Sequence, residues 1–200
     1  MRNFKQFVRI CIETPAESIL MTRLTTLKAV AVFLCLLVPF GNVGWAHESA
    51  FERMGIAPSK TEKPAPDFTL KDVNGQTIHL KDFRGKSILL NFWATWCEPC
   101  KQELPSMQKL YESLNKKGIE VVAISIDRTD QGKVQEYAKQ YHLTFPVLLD
   151  PDQKIRKNYY IMGLPTSYLI DASGKLRGFV SGAREWDSAA SEEVMLSLKE

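Results

Sequence analysis

Histidine is scarce, and cysteine is scarcer than its total suggests. Only His47, His79 and His142 occur among 200 residues, and none stands at a short ligand spacing. A structural zinc takes four nitrogen or sulfur ligands, so no metal centre is expected. Four cysteines are present, but Cys11 and Cys35 fall in the first 46 residues, leaving Cys97 and Cys100. Two cysteines three apart cannot staple distant segments, which excludes a disulfide framework. No apolar run reaches the roughly 20 residues that span a bilayer. There is no internal repeat, no low-complexity tract and no flavin or nicotinamide signature, so no cofactor is expected. Net charge is only +3, which gives no basis for a nucleic-acid partner.

What charge there is lies at the front. Residues 1–46 hold five basic residues, two acidic ones and the whole excess. Arg23 and Lys28 precede the apolar run Ala29–Phe40, and Gly44-Trp45-Ala46 places small residues before a cut ahead of His47. That is the layout of an export signal, with Met21 as an alternative start. The segment 1–46 is therefore expected to be a leader, cleaved or kept as an uncleaved membrane anchor, and the protein to be periplasmic or otherwise extracytoplasmic. Residues 47–66, with Pro58, Pro64 and Pro66, read as an extended linker, followed by one domain over 67–200.

The domain's hydrophobic pattern alternates in type. Asp67–Leu70 and Thr77–Leu80 flank Asn74-Gly75 and predict a β-hairpin. Ser87–Ala94 is nearly continuous in apolar residues, as a strand covered on both faces would be. Leu104, Met107, Leu110, Tyr111 and Leu114 then repeat at helical spacing up to Gly118. Ile119–Ile126 reads as a strand, Val134–Tyr141 as a helix capped by Thr129 or Asp130, and Val147–Leu149 as a strand. A short helix over 153–160, a hairpin around Asp171–Gly174 and a closing helix over 188–199 complete the order. Strand–helix alternation predicts an α/β fold with a largely parallel sheet, made mixed by the terminal hairpin.

Against that frame Trp96-Cys97-Glu98-Pro99-Cys100 falls where a buried strand hands over to a helix. Cys97, at the helix N-terminus, is the candidate nucleophile, because unpaired N–H groups there favour thiolate. Cys100, one turn in, would resolve the mixed disulfide. Pro99 suits an early helical position. Glu98 places negative charge beside the thiolate, which opposes the helix effect and favours a reducing couple. Trp93 reads as core, while Trp96 borders the site as a candidate partner-binding surface. Glu103, one turn beyond Cys100, is a candidate proton acceptor for that thiol.

The segment Phe92–Cys100, together with Gly163-Leu164-Pro165-Thr166, resembles the active-site and cis-proline elements of the thioredoxin superfamily. The Pro66-Asp67-Phe68 opening, Glu103 and an extra βα unit at about 127–150 make the likeness closest to exported TlpA/ResA/CcmG-like thiol:disulfide oxidoreductases, over about residues 60–198. The resemblance implies a thioredoxin-like mixed sheet flanked by helices, with an N-terminal β-hairpin and the βα unit inserted centrally. It implies a cis Leu164–Pro165 bond facing substrate beside Cys97, and it favours the proton-acceptor role for Glu103. It also implies a reductase of protein disulfides, fed by a membrane thiol-electron donor, with a narrow client set such as the Cys-x-x-Cys-His site of apocytochrome c. A monomer is expected. Two other readings stay open: a thiol peroxidase, although Ala94 and Leu90 stand where a peroxidatic cysteine has Thr and Pro upstream, and a copper-binding module, which lacks a third ligand.

Overall fold

Two strands without an exposed residue anchor the molecule. They are β4 (Ser87–Trp93) and β5 (Ile119–Ser125), paired in parallel from Ser87↔Ile119 to Trp93↔Ser125. The computed structural model describes residues 49–199, so the leader expected over 1–46 lies outside the described residues. Helix α2 (Glu98–Leu114) makes the crossover and packs on β5. It buries Leu104, Met107, Leu110 and Leu114 at helical spacing. A short 3-10 turn follows, and Gly118 closes it at φ 79°, a left-handed conformation that glycine adopts freely. The inserted unit is α3 (Gln131–Gln140), capped by Asp130 accepting from Lys133 N, and β6 (Val147–Leu149), parallel to β5.

Around this parallel centre the pairing reverses. The chain passes through α4 (Lys154–Asn158) to β7 (Thr166–Ile170), which runs antiparallel on the far side of β4. Strand β8 (Leu176–Ser181) pairs back on β7. The early hairpin, β2 (Thr69–Asp72) and β3 (Thr77–His79), joins the opposite edge through β6. With β1 (Ala57–Pro58) beside β8, the order is β1-β8-β7-β4-β5-β6-β2-β3. The thioredoxin-like mixed sheet is thus as expected, but a largely parallel one is not. Among the described residues only the β4–β5 and β5–β6 pairings are parallel. The reason is that only those connections are helical crossovers to an adjacent strand. The third strand–helix–strand passage crosses the sheet and reverses direction, and each hairpin adds antiparallel neighbours.

The extended linker expected over 47–66 also needs correction. Helix α1 (Ala50–Arg53) opens with a reciprocal capping box between Ser49 and Glu52. Ala50, Met54 and Ile56 are buried. Strand β1 (Ala57–Pro58) extends the sheet beside β8, and Pro64 bridges Lys175. Gly178 permits this approach, since a Cβ there would meet Ile56 Cγ2 at 2.9 Å and the Ala57 carbonyl at 3.0 Å. Helix α1 packs on the closing helix α5 (Ala189–Ser197), with Arg53 and Glu193 ion-paired across them. A four-residue helix and a two-residue strand are too short to show a hydrophobic period. Pro58 is tolerated because β1 is an edge strand.

Candidate active site

The site forms where β4 ends. Trp93 and Ala94 are fully buried, and the turn after them is fastened to the end of β5. Asp127 does the fastening. Its carboxylate accepts from Thr95 N at 2.9 Å, Thr95 Oγ1 at 2.7 Å and Ser125 Oγ at 2.7 Å. Asp127 is buried, and its bonds hold the segment leading into the cysteines.

Cys97 is the N-cap of α2, and Cys100 lies in the helix's first turn. Their sulfurs form a disulfide, with the Cα atoms 5.3 Å apart. Cys100 is completely buried, whereas Cys97 keeps a sliver of exposure and lines an open groove. The two sulfurs thus differ in access, Cys97 facing the groove and Cys100 the interior. Pro99 occupies the first helical turn, where its missing N–H leaves no bond unmade.

Glu98 is exposed, but its charge is shared. Lys101 Nζ lies 2.6 Å from its carboxylate and 5.4 Å from the centre of the Tyr137 ring. The hydrogen bond that Lys101 donates to Glu98 is the leading reason that its ammonium is held above its ordinary range. The negative charge expected to bear on Cys97 is therefore partly countered by Lys101.

Glu103 is not a surface residue: only 2% of it is exposed. Asn91 Nδ2 donates to one carboxylate oxygen at 2.7 Å. Arg184 N at 3.1 Å and Trp186 Nε1 at 3.2 Å donate to the other. Burial dominates and pushes its pKa up from 4.5 to about 7, against the lowering effect of those donors and of the Arg184 charge. A carboxyl with that value exchanges its proton near neutral pH. Its place one turn beyond Cys100 puts the two on the same side of α2. The three donors escaped the sequence reading. Asn91 left a trace, as the lone amide inside the apolar run of β4. Arg184 and Trp186 lie some 80 positions away and left none.

The second wall of the site comes from the loop before β7. The Leu164–Pro165 bond is cis, and Thr166 Oγ1 donates to the Gly163 carbonyl at 2.8 Å. Trp96, Cys97 and Leu164 line one groove of about 450 Å³, joined by Met162, Gln153 and Arg156. Trp96 is 68% exposed and Met162 93%, an unusual exposure for large apolar side chains. Cys97, Cys100, Trp96, Leu164 and Pro165 are thus brought to one place, with Glu103 behind them in the core. Met162, Gln153 and Arg156 were missed. Their signal would have been proximity to the cis-proline segment, which only the fold supplies. Among the described residues no group of three or more His, Cys, Asp or Glu could hold a metal ion, and no helix is long and apolar enough to cross a membrane.

Residues 61–179 match the model of the AhpC/TSA family. The thiol-disulfide oxidoreductase ResA of Bacillus cereus (strain ATCC 10987 / NRS 248) is 42% identical over 153 residues, covering 74% of this chain and 85% of that protein. ResA of Bacillus anthracis is 43% identical over 147 residues, 72% of this chain and 82% of that one. Among solved structures, a putative thiol:disulfide interchange protein DsbE from Chlorobium tepidum superimposes with a TM-score of 0.65 at 34% identity, covering 70% of this chain and 99% of that chain. StoA from Bacillus subtilis gives a TM-score of 0.53 at 30% identity, over 62% of this chain and 92% of that chain.

Proposed function

This chain belongs to the AhpC/TSA family and is a ResA-like thiol-disulfide oxidoreductase, and on that footing we propose that it works outside the cytoplasm as a reductase of protein disulfides. The observation that carries the reading is the asymmetry of the cysteine pair. Cys97 caps a helix N-terminus on an open groove, and Cys100 is sealed one turn behind it near a buried carboxyl.

In the reduced protein the Cys97 thiolate attacks one sulfur of a client disulfide. A bond forms between Cys97 and that sulfur, and the client's other sulfur leaves as thiolate. Glu103 then takes the proton from Cys100, and the Cys100 thiolate attacks Cys97. The second client thiolate leaves, and the Cys97–Cys100 disulfide remains. The client gains two electrons and the pair loses them. A membrane thiol carrier returns the protein to its dithiol. Trp96 and the Leu164–Pro165 wall hold the client strand over Cys97. The resemblance to ResA- and CcmG-like proteins supports apocytochrome c, with its Cys-x-x-Cys-His site, as client. Ala94 and Leu90 at the upstream Thr and Pro positions of a peroxidatic cysteine support exchange over peroxide chemistry.

Reaction of reduced Cys100→Ala protein with a disulfide-bonded Cys-x-x-Cys-His peptide tests this. Mass spectrometry should find the peptide held on Cys97 as a stable adduct, and the native protein should release it as dithiol. A Cys97 that stays free while the peptide stays oxidised contradicts the reading.

A further inference from the structure

The groove beside Cys97 has a polar wall that the exchange chemistry leaves unused. Gln153 is buried there with its backbone at φ 54°, in the left-handed region where glycine would be easier. Its amide is held in place, since Nε2 donates to the Ile126 carbonyl at 3.1 Å. The carboxamide oxygen then receives two cations: Arg156 Nη1 at 2.9 Å and Arg128 Nη2 at 3.3 Å. One neutral oxygen thus holds two guanidinium groups side by side. Among the described residues neither is ion-paired to a carboxylate. Arg156 Nε is also buried without an acceptor. Glu98, the carboxylate on the groove, is already held by Lys101. Two like charges gathered on a neutral bracket, with donors to spare, favour an anion from outside.

We propose that the Arg156–Gln153–Arg128 bracket reads a carboxylate on the client polypeptide, an Asp or Glu close to the cysteine that Cys97 attacks. The assignment rests on the reductase reading and narrows its substrate class. An extended client strand lying between Trp96 and Leu164 presents its apolar neighbour to Met162 and its acidic neighbour to Arg156. The bracket acts on binding and on approach of the client. The exchange step itself is unchanged.

Three disulfide-bonded peptides, identical except for Glu, Gln or Lys beside the attacked cysteine, are reduced by the full-length dithiol protein. The second-order rate constant is measured for each. The Glu peptide should react about fivefold faster than the Gln peptide at low ionic strength, the scale of one partly exposed ion pair. The advantage should shrink in ~0.5 M salt. Arg156→Glu should reverse the order, so that the Lys peptide becomes the fastest, and Arg128→Gln should reduce the Glu-to-Gln ratio. Ratios within one variant are insensitive to partial loss of folded protein. Equal rates for Glu and Gln peptides in the native protein overturn the proposal, as does a ratio that survives Arg156→Glu. If no peptide is reduced at all, the reductase reading itself fails, and this assignment fails with it.

Discussion

Replacing Glu103 by Gln should flatten one component of the pH dependence of stability. In the folded protein Glu103 is buried, and its pKa rises from 4.5 to about 7. The folded state therefore holds this proton more tightly than the unfolded chain does. Between those two values the folded state binds more protons, so stability falls as pH climbs and is level outside the window. The full drop is on the order of 3 kcal/mol, at ~1.4 kcal/mol per pKa unit. The Gln side chain does not titrate and keeps the shape. Its oxygen can accept from Arg184 N and Trp186 Nε1, while its amide takes the place facing Asn91. Asn91 Oδ1 is buried without a partner, so a turn of the Asn91 amide supplies the acceptor that the new N–H needs. Urea unfolding of the oxidised proteins from pH 4.5 to 8.5 is the assay, since the disulfide removes both thiols from the titration. The difference between Glu103→Gln and native stability should move in favour of the variant by about 3 kcal/mol across the window. A difference that does not change with pH would refute the argument from burial.

Other expectations bear on the site's supports. Asp127→Ala removes three accepted hydrogen bonds and leaves the buried Thr95 N–H unpaired, so urea unfolding should show a loss of roughly 2–4 kcal/mol. Lys101→Met frees the Glu98 carboxylate from its partner, so the Cys97 thiol, followed by thiolate absorbance at 240 nm, should titrate at higher pH than in the native protein. A lower or unchanged value would mean that Glu98 does not act on the thiolate. Gly178→Val forces a Cβ against Ile56 and the Ala57 carbonyl. It should cost about 1–3 kcal/mol and increase amide exchange in α1 and β1, whereas a free N-terminal linker would make it silent.

The elements around the cysteines were legible because their patterns are long. Seven buried residues of β4 and four buried leucine and methionine positions of α2 declare their periods without tertiary context. The Asn74-Gly75 turn and the Asp130 cap follow from local chemistry that any sequence carries with it. Strand direction was not local. Nothing between β6 and β7 states that the chain will cross beyond β4 and reverse, so the sheet came out more antiparallel than its strand–helix alternation implied. The lead-in α1–β1 was hidden by brevity, and its partner Gly178 lies over a hundred positions away. The site divides in the same way. Cys97, Cys100, Glu103 and Pro165 sit in recognisable short segments. Asn91, Trp186, Gln153 and Arg156 matter only through neighbours remote in sequence, and the Lys101–Glu98 pair depends on which way two long side chains turn.

Whether the Cys97–Cys100 pair reduces or oxidises a client is read from the position of the exchange equilibrium. Equal amounts of oxidised and reduced protein are equilibrated with the oxidised and dithiol forms of a Cys-x-x-Cys-His peptide, and all four species are counted by mass spectrometry after acid quench. Disulfide should accumulate between Cys97 and Cys100 while the peptide becomes dithiol, which places the protein on the reducing side of the peptide couple. Net oxidation of the peptide by the Cys97–Cys100 disulfide, as a strong oxidant near about −120 mV would give, contradicts it.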